Sequence, residues 1–328
     1  MSNFQAFRVF EEDNQFSSRV VERTTEELPD GDVLIRVHYS SLNYKDALST
    51  TGNKGVTKQY PHTPGIDVVG EVVDDRTGTF APQNPVLVTG FDLGMNTDGG
   101  FGEYVRVPAN WVMPLPAELT PPESMIFGTA GLTAGLMVQA LLEHGVPTNE
   151  GEILVTGATG GVGSLAVAIL AKLGYQVVAV SGKSDAVDWL KALGAQEVIG
   201  RDALGDPNRP LLKERWRGVV DVVGGTTLAA AIKSTRYGGT VTCSGLAGSA
   251  DLPLNVFPFI LRGVQLIGID SVQCPMPKRQ QIWQKLSREW KPANLDALSS
   301  TITLSDIAAR VEAMLAGSVR GRTVVSLI

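Results

Sequence analysis

A chain of 328 residues with 43% apolar and 19% charged residues has the composition of an ordinary soluble globular protein and enough length for two domains. Its formal net charge of −6 argues against a general nucleic-acid partner, because phosphate backbones select basic faces. Two cysteines (Cys243, Cys274) and three histidines (His38, His62, His144) show no disulfide or metal spacing, and there is neither a basic–apolar leader nor an uninterrupted apolar run of about 18 residues, so no metal, no membrane span and a reducing cytoplasm are expected.

Up to about residue 120 the sequence is made of short strand-like runs at 33–39, 67–73, 85–89 and 102–107, separated by Pro, Gly, Asp and Asn. That texture predicts a small β-barrel or sandwich. From about 125 to 270 the texture changes. Apolar runs at 153–156, 176–181, 197–199, 219–223, 240–244 and 264–269 alternate with helical spacing at 162–173, 185–193 and 227–235. Several runs are apolar throughout, as in strands covered on both faces, so the segment predicts an α/β, doubly wound domain with a six-stranded parallel sheet. The tail reads as amphipathic helices at 278–290 and 305–317 and a closing strand at 322–327.

The strongest chemical signal is Glu152-Ile153-Leu154-Val155-Thr156-Gly157-Ala158-Thr159-Gly160-Gly161-Val162-Gly163, a buried strand running straight into glycines and then into a helix ending near Leu173. Glycines let the backbone turn sharply and approach a pyrophosphate, and the helix start offers N–H groups to it. Gly160, Gly161, Val162 and Gly163 are therefore predicted to bind a dinucleotide. Dinucleotide folds that take NAD usually carry an acid about 20 residues on. Here the second strand ends in Ser181-Gly182-Lys183, and Arg201 follows the third strand. A hydroxyl and two cations suit a 2′-phosphate, which predicts NADPH over NADH. Ser184 also reads as a helix cap, and Asp185 as an alternative partner for the ribose.

With these elements in place, the chain resembles the medium-chain dehydrogenase/reductase superfamily. The resemblance is carried by Ser41-Leu42-Asn43-Tyr44-Lys45-Asp46, Pro64-Gly65-Ile66-Asp67, Gly128-Thr129-Ala130-Gly131-Leu132-Thr133-Ala134, Asp221-Val222-Val223-Gly224-Gly225 and Gly321-Arg322-Thr323, in that order along essentially the whole chain. Within the superfamily it is most similar to the zinc-independent, quinone-oxidoreductase-like branch and, through Cys243-Ser244-Gly245-Leu246-Ala247-Gly248 and Pro258-Phe259-Ile260-Leu261-Arg262-Gly263-Val264, to NADPH-dependent acryloyl-CoA reductases. The resemblance implies a GroES-like β-barrel catalytic domain from residues 1–124 and 271–328, a Rossmann NADP-binding domain from 125–270, and a dimer or tetramer built through the Rossmann sheets, of which a homodimer is the expectation. Zinc members place a cysteine in the first motif and a His-Glu pair in the second, whereas this chain has Asn43-Tyr44 and Gly65-Ile66-Asp67. No zinc means no Lewis acid for a simple alcohol or ketone.

The chemistry then expected is hydride transfer to an electron-poor carbon. In a short enoyl-CoA thioester, acryloyl-CoA to propanoyl-CoA, hydride reaches Cβ, charge builds on the thioester oxygen and Cα takes a proton. Tyr44 is the candidate proton donor or nicotinamide contact, Asn43 a candidate donor to the carbonyl, and Asp46 an orienting group; Asn43 also reads simply as a helix cap. Thr129 resembles the position near the nicotinamide carboxamide in relatives; Leu246 and Ser271, in the loops after the fifth and sixth strands, are expected cofactor neighbours because ligands sit beyond the carboxyl ends of such strands, and Arg322 is expected to face the cofactor from the tail. Lys54, Lys58, Arg262 and Arg279 are candidate cations for a CoA phosphate. An NADPH quinone reductase and a non-catalytic NADPH-binding or sensor protein are the competing expectations.

Overall fold

The computed structural model describes residues 2–206 and 208–328. In chain order the strands and helices begin with β1 (Asn3–Glu12), β2 (Gln15–Thr24), β3 (Val33–Leu42), α1 (Tyr44–Thr50), β4 (Asp67–Asp75), β5 (Pro85–Thr89), β6 (Tyr104–Val107) and β7 (Met113–Pro114). Then come α2 (Pro121–Glu143), β8 (Glu152–Val155), α3 (Gly161–Lys172), β9 (Gln176–Val180), α4 (Val187–Ala192), β10 (Glu197–Ile199), β11 (Trp216–Asp221), α5 (Gly225–Lys233), β12 (Thr235–Cys243), α6 (Phe257–Arg262) and β13 (Gln265–Gly268). The chain closes with α7 (Met276–Ser287), β14 (Ser299–Ile302), α8 (Ile307–Leu315) and β15 (Arg322–Ser326). These form two compact units. The first holds the chain up to Thr129 with Val272–Ser287 and Leu295–Ile328, and the second holds Ala130–Ser271 with Arg288–Asn294.

The second unit is built on a six-stranded sheet in the order β10-β9-β8-β11-β12-β13, with every pairing parallel. The predicted doubly wound sheet is present. Ile153, Leu154 and Val155 in β8 and Val219 and Val220 in β11 are fully buried, because helices cover both faces and leave no side for polar residues. The order reverses at β8: the chain leaves it for β9 on one side and later returns to β11 on the other. Ligand crevices form outside the carboxyl ends of strands at such a reversal. The core of this unit gathers Leu154, Val178, Trp216, Val219, Ile232 and Val241.

In the first unit, β14-β15-β3-β4-β5-β7 form one sheet and β6 pairs with β3. The closing strand β15 lies antiparallel on β3, with Val324 opposite Ser41, so the tail is part of the N-terminal sheet. Val33, Ile35, Val37, Val68, Val86 and Val105 alternate into its core. The hairpin β1–β2 was not singled out from sequence. Half of its second strand is exposed and only Arg23 is buried, so apolar alternation is weak there.

Helix α2 also escaped the periodicity reading. It is apolar on all sides, so it presents no stripe at helical spacing, and it is broken at Gly128, where φ is 50° and ψ −153°. By length and composition it could cross a membrane (mean hydropathy 1.7), but 94% of the apolar window is buried inside the fold, as in a core helix.

Candidate functional site

In the second unit, β8 ends against the glycine turn. Gly157 takes φ 57°, a region glycine enters freely. A Cβ on Gly163 would sit 2.3 Å from the Gly157 carbonyl oxygen and 2.8 Å from Ala158 Cα, so only glycine lets α3 start this close to the turn. The first intrahelical bond runs from Ser164 N–H to Gly160 O at 2.9 Å. The N–H groups of Gly161, Val162 and Gly163 therefore precede the ladder and have no acceptor within the helix. Gly160 is exposed at this helix start.

Ala158 N–H donates to Val180 O at 3.3 Å, which sets the glycine turn beside the end of β9. There the Ser181 N–H donates to Ile199 O at 3.0 Å, and the Lys183 N–H donates to Ser181 Oγ at 3.0 Å. The serine hydroxyl thus shapes the turn that carries Gly182 and Lys183. The exposed Arg201 lies against it: a Cβ on Gly182 would be 3.8 Å from Arg201 Nε and 4.0 Å from Nη2. Tertiary structure brings Ser181, Gly182, Lys183 and Arg201 together around one turn. Asp185 falls in the 3-10 turn Ser184–Ala186 that follows.

Asp221 ends β11. It is fully buried and accepts from Thr156 Oγ1 at 2.6 Å and from Gly224 N–H at 2.8 Å. Burial raises its carboxyl above the ordinary range, and those hydrogen bonds oppose the shift. The group pins the loop after β11 to the strand before the glycine turn. Beyond the ends of β12 and β13 lies a cavity of about 520 Å³, whose lining includes Gly224, Cys243, Ser244, Leu246, Leu266 and Ile269. Leu246 is 68% exposed at its rim. Burial, then the Asp221 charge, pushes the Cys243 thiol up. Ser271 is buried, and its hydroxyl accepts from Thr133 Oγ1 at 2.8 Å.

In the first unit, three residues predicted from distant motifs meet one carboxylate. Asp67 is fully buried. Its Oδ1 accepts from Thr129 N–H at 2.9 Å and Thr129 Oγ1 at 2.6 Å. Its Oδ2 accepts from Ser41 Oγ at 2.6 Å and Asn43 Nδ2 at 2.8 Å. Arg322 Nη2 lies 3.9 Å from Oδ2. The Arg322 guanidinium points inward as well, donating to Ile126 O at 2.8 Å, Asn43 Oδ1 at 3.1 Å and Ser41 Oγ at 2.8 Å. Burial lowers its pKa, and Asp67 and Asp46 oppose that.

Asn43 precedes α1. Its backbone N–H donates to Asp46 Oδ2 at 2.8 Å, while its side chain bridges Asp67 and Arg322. Asp46 accepts in addition from Gly65 and Ile66 N–H at 3.2 and 3.0 Å. Burial, aided by the Asp67 charge, raises Asp46 to about 7 against these bonds. Tyr44, the first residue of α1, is 52% exposed and outside this network.

The loop cations sort differently. Lys54 pairs with Glu11 at 2.6 Å, while Lys58 is exposed. Arg262 donates to Lys233 O and Leu212 O at 2.7 and 2.8 Å, and the buried Arg279 to Thr89 O at 2.6 Å. Both arginines are thus tied to main-chain carbonyls, and Arg262 Nε also lies 3.4 Å from Glu214 Oε1.

Fold and site together define a Rossmann-type dinucleotide oxidoreductase carrying a GroES-like domain. Residues 29–117 match the alcohol dehydrogenase GroES-like domain model and 161–289 the zinc-binding dehydrogenase model. A protein from Escherichia coli K12, "Probable acrylyl-CoA reductase AcuI", is 44% identical over 98% of this chain and 99% of its own. "Putative quinone oxidoreductase YhfP" from Bacillus subtilis is 43% identical over 99% of both. Among solved structures, E. coli K-12 YhdH with bound NADPH superposes with a TM-score of 0.96 at 44% identity, over 99% of this chain and 100% of that one. Bacillus subtilis yhfP with NAD bound gives 0.97 at 42%, over 100% of both. The chain belongs to the medium-chain dehydrogenase/reductase superfamily.

The family model's name raises the question of zinc. The residues do not fit it. Both oxygens of Asp67 are taken by protein donors, and among the described residues no group of three or more His, Cys, Asp or Glu side chains could hold a metal ion.

Proposed function

We propose that this protein is an NADPH-dependent reductase of the activated C=C bond of a short enoyl-CoA thioester, converting acryloyl-CoA to propanoyl-CoA without a metal. The observation that carries the reading is the 44% identity, over essentially the full length, to a relative named as an acrylyl-CoA reductase. The turn of Ser181, Gly182 and Lys183 under Arg201 supports the phosphorylated cofactor, because it offers a hydroxyl and cations where a carboxylate would repel a 2′-phosphate.

In this reading the N–H groups at Gly160, Gly161, Val162 and Gly163 hold the pyrophosphate. Ser181, Gly182, Lys183 and Arg201 hold the 2′-phosphate, and Thr129, Leu246 and Ser271 flank the nicotinamide end. When bound, NADPH supplies a hydride to Cβ of the enoyl group. The π pair then moves toward Cα and the thioester oxygen, and a proton completes Cα. Tyr44 is the proposed proton donor or nicotinamide contact: the residue is exposed and its side chain carries an O–H group. Asn43 and Arg322 use their donors inside the first unit, so both serve by holding α1 and Thr129 in position.

We also propose a homodimer formed through the second unit. Among the described residues β13 is an end strand of its sheet, and Val256, Phe257, Ile260 and Leu261 on and beside α6 are exposed. An apolar helix face beside an end strand favours self-association.

A second reading, quinone reduction, is favoured by the B. subtilis relative's name. The deciding experiment follows NADPH absorbance with acryloyl-CoA, crotonyl-CoA, simple quinones and aldehydes. Turnover of the thioesters far above the quinones is expected. No thioester turnover would overturn the reading.

A further inference from the structure

Asp67 was assigned no role by the sequence, yet it decides how Thr129 can be used. A carboxylate surrounded by donors can only accept. The donors around Asp67 are unambiguous. The Thr129 N–H is a donor by nature. Asn43 must turn its Nδ2 toward Asp67, because its Oδ1 accepts from Arg322, which only donates. Ser41 Oγ accepts from Arg322 Nη2 at 2.8 Å, so its own hydrogen goes to Asp67. The Thr129 hydroxyl, 2.6 Å from Oδ1, is then committed in the same way. Its hydrogen faces Asp67, and toward any other group its oxygen can only accept.

We infer that Asp67 is a polarity-setting residue: by holding the hydroxyl hydrogen of Thr129 it makes Thr129 an obligate acceptor, which selects a nicotinamide ring carrying a primary amide N–H over one carrying a ketone. This rests on the proposed NADPH reading, in which Thr129 flanks the nicotinamide end. Asp67 itself touches no ligand in this scheme. It acts through Thr129 and is a positioning residue.

The test measures Kd by fluorescence titration of the full chain for NADP⁺ and for its 3-acetylpyridine analogue, which replaces the amide NH₂ with a methyl group. Wild type should bind the analogue about five- to tenfold more weakly, the worth of one neutral hydrogen bond. Thr129→Val should erase the difference and Thr129→Ser should keep it. Asp67→Asn, which can turn an amide donor toward Thr129, should shrink the difference toward one. A wild type that binds both ligands equally overturns the inference while leaving the cofactor reading intact. A wild type that takes up neither ligand overturns both. An Asp67→Asn protein discriminating like wild type removes Asp67 from the account. If that variant fails to fold, Thr129→Val discriminating like wild type still overturns the inference.

Discussion

Removing Arg201 should separate NADPH from NADH. Arg201 is exposed and lies against Gly182, within about 4 Å of where a β-carbon would be. A 2′-phosphate cradled by the Ser181–Lys183 turn would meet its guanidinium at similar range. Two unit charges 4 Å apart attract by about 1 kcal/mol in bulk water and about 4 kcal/mol at an effective dielectric of 20. An exposed arginine belongs near the lower figure, and a phosphate dianion raises it somewhat. Arg201→Ala should therefore weaken NADPH binding by about tenfold and leave NADH, which lacks the phosphate, unchanged. Titration of intrinsic fluorescence with each nucleotide reads both constants. Salt adds a check: the wild-type preference should shrink as ionic strength rises and the Debye length falls from about 10 Å at 0.1 M to about 3 Å at 1 M. Equal losses for both nucleotides, or no loss for NADPH, would refute the charge argument.

Gly163→Ala should lower stability by about 1–3 kcal/mol in denaturant melts and weaken NADPH binding, since its methyl would meet backbone atoms at 2.3 and 2.8 Å that cannot rotate away. Thr156→Val should cost about 1–3 kcal/mol, because it removes a 2.6 Å hydrogen bond from a buried carboxylate. Asp46 gives a pH signature. Its folded-state pKa of about 7 stands above the ordinary 3.8, so the folded state binds more protons between those values, and stability falls as pH rises through that window. Urea melts of wild type against Asp46→Asn should show this extra decline between about pH 4 and pH 7 only in the wild type. Elemental analysis should find no stoichiometric zinc, and prolonged chelation should leave turnover unchanged.

The sequence alone determined what local patterns encode. The β8 run, its glycines and the start of α3 are contiguous, so strand, turn and helix could be read from residues within one short window. The six parallel strands were legible because strands buried on both faces are apolar throughout, a property each carries by itself. Boundaries moved where tertiary pairing outweighs pattern: β12 starts at Thr235, earlier than its apolar run, and holds Gly238 at φ 65°. Helix α2 was hidden because burial on all sides erases periodicity.

Tertiary structure decided the meaning of polar residues far apart in the chain. Arg322 and Ser41 are 281 residues apart and hydrogen-bonded, and Thr129 reaches Asp67 across 62. No spacing rule could pair them. The direction of Asn43, the inward turn of Arg322 and the structural use of Arg262 and Arg279 follow from which donors face which acceptors. Those contacts exist only once distant segments are packed, because a buried charge must find partners wherever the fold brings them.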